Sequence, residues 1–179
     1  MVITPKAQEL NNARNGKRKI DMDKNIYDYI KENLCGETKQ NALEFAAFLN
    51  SYNIEFIKDN GYWKSKIYYL CKFNNEYVCF IAIKDPDEPE NDWTIWSEDS
   101  NAYAEEIADE KVKSAAWRYV DHCGNCGSCG GGKTKKIFGK TFDDVCGCTF
   151  RIDNAKLSDM PFLKMMIELR IAEIISKCK

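Results

Sequence analysis

Apolar residues recur with a helical period in the first third of the chain. This spacing predicts a short helix over residues 22–34, which Gly36 is expected to end. A second helix is predicted over residues 38–52, with Thr38 as its N-cap and a wide apolar face. We interpret that face as protein core.

The middle of the chain changes to a period of two, which is typical of strands. Residues Trp63–Phe73 alternate between two faces and predict a half-buried strand, and Asn74-Asn75 predicts a turn. The run Tyr77–Ile83 is apolar on both faces and predicts a central strand, and Trp93–Ser97 predicts a third strand. Three consecutive strands with short links indicate an antiparallel meander.

The last third returns to mixed patterns. Residues 101–121 predict helix, and Ile137–Phe142 with Cys146–Ile152 predict a late hairpin. Ser158 or Asp159 can cap a final, largely apolar helix that has Pro161 in its first turn.

These elements together predict an α+β domain. We expect an antiparallel sheet, made of a three-strand meander plus a late hairpin, with helices mainly on one face and a Cys-rich loop. Residues 1–20 are polar and are expected to form a flexible tail. Residues 21–179 are expected to form the single domain, with the metal-type loop at residues 122–148.

Composition narrows the class of protein. The 179 residues are 44% hydrophobic and 30% charged, which is ordinary for a globular protein. The formal net charge of −2 argues against a generally basic nucleic-acid-binding chain. No apolar run is long enough to span a membrane, and the first residues lack the apolar segment of a secretory signal. We therefore expect a cytoplasmic protein without a membrane segment.

The chain has nine cysteines, which fall into two groups. Cys35, Cys71, Cys79 and Cys178 are scattered and are interpreted as structural thiols. The other five lie within 26 residues: Cys123, Cys126, Cys129, Cys146 and Cys148. In a chain without a secretory signal, such clustering favours metal binding over disulfides.

The spacing of these five thiols matches metal ligands. A C-x2-C turn followed by glycine can place two sulfurs on one ion. The preferred ligand set is Cys123, Cys126 and Cys129 with either Cys146 or Cys148, and His122, the single histidine, remains an alternative ligand. Zinc suits such a closed thiolate site, and an iron–sulfur cluster is the alternative cofactor. Free thiols and thiol redox exchange remain open.

Residues 127–134, GSCGGGKT, also satisfy the P-loop pattern. A P-loop needs a buried strand before it and a helix after it, because the helix N-terminus holds the phosphates. Here the preceding residues predict a helix, and the following residues alternate like a strand. We therefore prefer the metal interpretation.

Aromatic residues lie on or beside the predicted sheet. The set is Trp63, Tyr69, Trp93, Trp96 and Trp117. Such residues pack a core in most proteins, and they can also form a small-molecule cleft between the sheet and the helices.

Three stretches of the sequence resemble a known fold. They are Tyr62-Trp63-Lys64, the hairpin through Tyr77–Phe80, and the late Phe150–Asp153 followed by an amphipathic helix. In element order, roughly residues 40–175 resemble small bacterial α+β domains akin to the gyrase-inhibitor-like fold. This resemblance implies binding of small, often apolar or cationic ligands in an aromatic cleft. It assigns no individual site residues.

Three functions remain as expectations. The first is a structural zinc site in a protein that binds a small molecule in its aromatic cleft. The second is a zinc-knuckle module that contacts protein or nucleic acid through the Lys-rich loop 133–140, which carries Lys133, Lys135, Lys136 and Lys140. The third is an iron–sulfur or thiol redox protein. An enzyme is disfavoured, because no Ser/His/Asp motif is present and Cys-rich zinc sites are usually closed.

Overall fold

A computed structural model describes residues 25–59, 68–124, 126 and 130–178. This part of the chain forms four α-helices and one antiparallel sheet of seven strands, which confirms the predicted α+β class. The helices are α1 (Ile26–Asn33), α2 (Gly36–Ser51), α3 (Glu110–Arg118) and α4 (Met160–Lys177). The strands are β1 (Glu55–Asp59), β2 (Tyr68–Phe73), β3 (Glu76–Ile83), β4 (Trp93–Ser97), β5 (Val120–His122), β6 (Lys133–Ile137) and β7 (Lys140–Asp153).

The long strand β7 joins the two parts of the sheet. The spatial order is β1-β2-β3-β4-β7-β5, so the meander continues through β4 into the late strands. Strand β4 pairs with the C-terminal end of β7, where Ile95 lies opposite Ile152. Strand β6 pairs with the N-terminal half of β7, where Ile137 lies opposite Lys140.

One face of the sheet forms the core. The register places Tyr69, Ile81, Ile95 and Ile152 side by side across four strands. All four are buried in the same hydrophobic cluster as the apolar residues of α1, α2 and α4. The predicted placement of the helices mainly on one face therefore agrees with the structure, because alternation along each strand sends these side chains to one side.

The ends of the helices follow local capping, with two corrections. Helix α1 begins after Asn25, whose side chain accepts a hydrogen bond from the Asp28 backbone. Helix α2 begins at Gly36 and has Cys35 as its N-cap, so the prediction of Thr38 as N-cap is wrong. Gly36 was expected to end α1, but it is the first residue of α2. Helix α4 starts after Asp159, with proline in its first turn, as predicted. Residues 22–24 lie outside the described residues.

The helical structure predicted over residues 101–121 is only partly correct. Residues Asn101–Ala104 form a short 3-10 helix, and α3 begins separately at Glu110. The Asp109 side chain accepts hydrogen bonds from the backbone N–H groups of Lys111 and Val112, which gives α3 its own start. The residues after Arg118 leave the helix and form β5.

The strand predictions also need correction. The pattern missed β1, and only Tyr68–Phe73 of the first predicted strand lies in described strand, since residues 60–67 fall outside the described part. The late hairpin turns at Phe138 and Gly139, both with positive φ, and not near residues 143–145. Phe138 is buried and its N–H donates to the Tyr103 carbonyl, so this apolar residue sits in the turn.

A half-buried carboxylate ties α4 to the start of the 3-10 helix. Glu173 accepts hydrogen bonds from Ser100 (2.7 Å) and Arg170 (3.1 Å), and Lys177 lies 2.9 Å away. Burial alone would raise the pKa of Glu173, but these donors outweigh it and lower the pKa to about 2. The charged form of Glu173 therefore stabilises the fold.

Candidate functional site

Strands β5 and β7 pair irregularly next to the predicted thiol ligands Cys146 and Cys148. Val120 pairs with Phe150, whereas His122, two residues later, pairs with Val145, five residues earlier on β7. Strand β7 therefore carries a bulge of three additional residues over 146–149. The Cys123 N–H donates to the Asp144 carbonyl (2.8 Å), which continues the pairing beyond β5.

Two of the predicted ligands meet within this bulge. The Cys146 and Cys148 side chains hydrogen-bond to each other, and Cys146 also hydrogen-bonds to the Asp121 carboxylate. All three side chains are half-buried. The site thus combines a C-x-C dithiol with a carboxylate from the neighbouring strand.

The surroundings of this cluster raise the pKa values of Cys148 and Asp121. Burial raises the pKa of Cys148 to about 12, and the acidic neighbours Cys146, Glu98 and Asp121 add to this effect. Burial also raises the pKa of Asp121, and the hydrogen bond from Cys146 offsets it only in part. A metal ion would have to displace thiol protons here, so its binding would release protons.

The two described ends of the loop before β6 contact one residue of β7. The Cys123 N–H contacts Asp144 at one end of the loop, and Gly132 packs against Asp144 at the other. A Cβ added at Gly132 would lie 2.0 Å from Asp144 Oδ1 and 2.9 Å from its backbone, so this close approach requires glycine. Both ends of the loop therefore contact a residue that lies two positions before Cys146 in the sequence.

Two polar contacts hold the bulge. The buried Ser97 hydroxyl donates to the Cys148 carbonyl and accepts from the Phe150 N–H (3.1 Å). Thr149 has a φ of 64° although it is β-branched, and it is fully buried. Such a conformation costs on the order of 1–3 kcal/mol, so it persists only where surrounding contacts impose it.

The structure brings some predicted ligands together and leaves others apart. Among the described residues, no group of three or more His, Cys, Asp or Glu side chains is arranged to hold a metal ion. Cys126 and His122 are exposed, and Cys123 is half-buried. Cys129 lies outside the described residues. The metal site therefore stays a prediction, with Cys146 and Cys148 as the pair in contact.

Sequence reasoning missed Asp121 and Ser97. The sequence signal for Asp121 is limited to its place beside His122 and two residues before Cys123. Its contact with Cys146 depends on the pairing of β5 with β7. No local pattern marks Ser97, which lies 51 residues from its acceptor at Cys148.

The remaining described cysteines are not part of the bulge, although Cys79 pairs with Ser97 across β3 and β4. Cys71 and Cys79 face each other across β2 and β3, are fully buried, and hydrogen-bond to each other. Burial raises the pKa of the Cys71 thiol well above its usual value. Cys35 and Cys178 are exposed.

The P-loop pattern ends in a strand. Lys133 and Thr134 belong to β6, and Lys133 pairs with Val145 of β7. The Thr134 hydroxyl donates to Asp143 (2.8 Å). A phosphate-binding helix would have to start at these residues, so the structure agrees with our preference against a P-loop.

The aromatic residues of the predicted cleft occupy different places. Tyr69 and Trp93 are buried in the core, whereas Trp96 lies on the opposite face under the Arg151 guanidinium (5.5 Å). Trp117 donates to the Ile137 carbonyl (2.9 Å) beside the hairpin. Trp63 lies outside the described residues. The four described side chains do not line one common cleft.

The Lys-rich segment is not uniform. Lys133, Lys136 and Lys140 are exposed, and the Lys140 ammonium lies 5.5 Å from the centre of the Trp117 ring. Lys135 is half-buried and pairs with Asp99 (2.9 Å). Contact with nucleic acid or protein through this segment stays a prediction.

Comparisons with known proteins identify no match to this chain. No protein-family model matches it, and neither a curated protein nor a solved structure is significantly similar to it. Within the described ranges, none of the helices has the length and apolar character needed to cross a membrane. The functional argument therefore rests on the site itself.

Proposed function

We propose that this protein binds one thiolate-coordinated transition-metal ion, with zinc as the first candidate. The ligands would be Cys146 and Cys148 together with thiols of the loop, drawn from Cys123, Cys126 and Cys129. The supporting observation is the contact between the Cys146 and Cys148 thiols beside a loop whose two ends both pack on Asp144.

The chemistry of the donors supports zinc. Thiolates are soft ligands that favour zinc, copper(I) and iron–sulfur centres over magnesium or calcium. An ion shared between the bulge and the loop would replace the proton that the half-buried Cys148 otherwise keeps at neutral pH. Its role would be structural, because it would tie the glycine-rich loop to β7.

The first test is metal content per chain after purification without added metal. We expect one zinc per chain and about four thiols that stay unreactive until a chelator is added. The variant Cys146→Ser/Cys148→Ser should lose the zinc. The matched control is Cys35→Ser/Cys178→Ser, which makes the same chemical change at two exposed thiols away from the bulge.

Other outcomes separate the alternatives. Iron with broad visible absorption would replace zinc by an iron–sulfur cluster. Absence of any metal, with both variants indistinguishable from the native chain, would contradict the proposal.

A second candidate function is thiol–disulfide exchange, which the direct Cys146–Cys148 contact favours. Oxidised glutathione would accept two electrons and two protons from the dithiol. The products would be a Cys146–Cys148 disulfide and two molecules of reduced glutathione. Mass spectrometry of a chain incubated with oxidised glutathione should then show that disulfide, and metal-bound thiols should resist it.

A further inference from the structure

Lys135 differs from the other lysines of its segment. Its side chain is only 15% exposed, although it lies on β6 among exposed lysines. Its ammonium contacts Asp99 (2.9 Å), the Thr149 hydroxyl (2.7 Å) and the Gly147 carbonyl (3.5 Å). An ammonium group has three protons, so each of them has an acceptor.

The acceptors of Lys135 surround one thiol residue. Gly147 and Thr149 are the two chain neighbours of Cys148. The Thr149 hydroxyl also donates to Asp99 (2.7 Å), which closes a triangle of Lys135, Asp99 and Thr149. We call this triangle the lysine clip.

We propose that Lys135 is a positioning residue for Cys148: through the lysine clip it holds the bulge of β7 so that Cys148 faces Cys146. The expected effect of Lys135 on metal affinity rests on the proposed function. Its effect on the position of the Cys148 thiol does not. The proposal also gives Lys135 a role other than contact with nucleic acid. The clip lines a recess of about 190 Å³, but Lys135 has no spare proton to offer an anion there.

The test variant is Lys135→Met, which removes the ammonium and keeps a long side chain. Its matched control is Lys136→Met, the same change at the exposed neighbour. The first readout is the rate at which iodoacetamide modifies Cys148 in metal-free protein, with the exposed Cys126 of the same chain as the internal standard.

We expect Lys135→Met to speed Cys148 modification by about 10-fold and Lys136→Met to leave it unchanged, because the bulge opens locally when the clip is lost. The sign is diagnostic. Loss of a nearby positive charge without movement would favour the neutral thiol and slow the reaction.

The second readout is cobalt(II) binding, followed by its visible absorption bands. We expect Lys135→Met to weaken cobalt binding by about 10-fold and to alter the bands, as outer-shell contacts do at other metal sites. A merely structural role would lower the melting temperature of the variant but leave the bands of the folded protein unchanged.

Equal modification rates in the two variants would overturn the proposal. If Lys135→Met fails to fold, Asp99→Asn weakens the same triangle, and the same rate comparison decides. If the native chain binds neither zinc nor cobalt, the proposed function fails, while the modification rates still decide the role of Lys135.

Discussion

Replacing Ser97 by alanine should lower the free energy of unfolding far more than the loss of a hydroxyl at the protein surface would. Ser97 is fully buried at the end of β4. Its hydroxyl satisfies two backbone groups of the bulge, the Cys148 carbonyl and the Phe150 N–H. Alanine would remove the hydroxyl and leave both groups without this partner.

The expected magnitude follows from those two groups. A buried polar group left without a partner costs about 1–3 kcal/mol. Two such groups predict a loss of about 2–4 kcal/mol in the free energy of unfolding, since partial relaxation or an entering water molecule would offset some of the cost. For a chain of this size the melting temperature should fall by about 4–16 °C.

The assay is urea unfolding followed by circular dichroism, with the free energy taken from the midpoint and slope. The control is Ser176→Ala, because the Ser176 hydroxyl donates to the Glu173 carbonyl at the exposed end of α4. We expect the control to cost less than about 0.5 kcal/mol. Equal midpoints for the two variants would show that the Ser97 hydroxyl does not hold the bulge.

Two further predictions concern the loop and α4. Gly132→Ala should reduce zinc content, because the new Cβ would push the loop away from Asp144. The control is Gly124→Ala, where nothing lies within 4 Å of the added Cβ. Equal zinc contents in the two variants would refute the prediction. Glu173→Gln should weaken the dependence of the free energy of unfolding on pH at acidic pH. Because the pKa of Glu173 is lowered to about 2, its contribution of up to about 3 kcal/mol is complete above its ordinary pKa and is lost as the pH falls toward 2. Unfolding free energies measured from pH 2 to pH 6 should therefore converge for the two proteins at the acid end, and parallel profiles would contradict this.

The sequence predicts best where local signals and tertiary structure agree. Helix α4 has a long apolar pattern and a proline in its first turn, and it forms where expected. The central strand β3 has an uninterrupted apolar run and is likewise found. Both elements lie in the core, so burial reinforces the local pattern.

Short or polar elements were harder to predict. Strand β1 has five residues with charged ends, and its pairing with β2 supplies the order that its sequence lacks. The hairpin turn was misplaced because Phe138 is apolar and suggests a strand. Its packing in the core and its bond to Tyr103 are tertiary effects that no local window contains.

The sequence predicted which thiols form the candidate site, but not how their side chains are arranged. Cysteine spacing identified Cys146 and Cys148, which do meet. The roles of Lys135 and Asp121 depend on which side chains the bulge brings near them. Charge patterning alone therefore grouped Lys135 with its exposed neighbours.

The bulge decides whether the thiols are accessible at all. Val145 and Phe150 are both fully buried in the core, although an odd number of positions separates them. Strict alternation counted back from Phe150 would place Cys146 and Cys148 on the face of Phe150, inside the core and beyond the reach of a metal ion. The left-handed Thr149 changes the alternation, and the two thiols instead meet each other, with Cys146 beside Asp121. Because this conformation is costly for a β-branched residue, the contacts from Ser97 and Lys135 are a condition for the site and not an accessory to it.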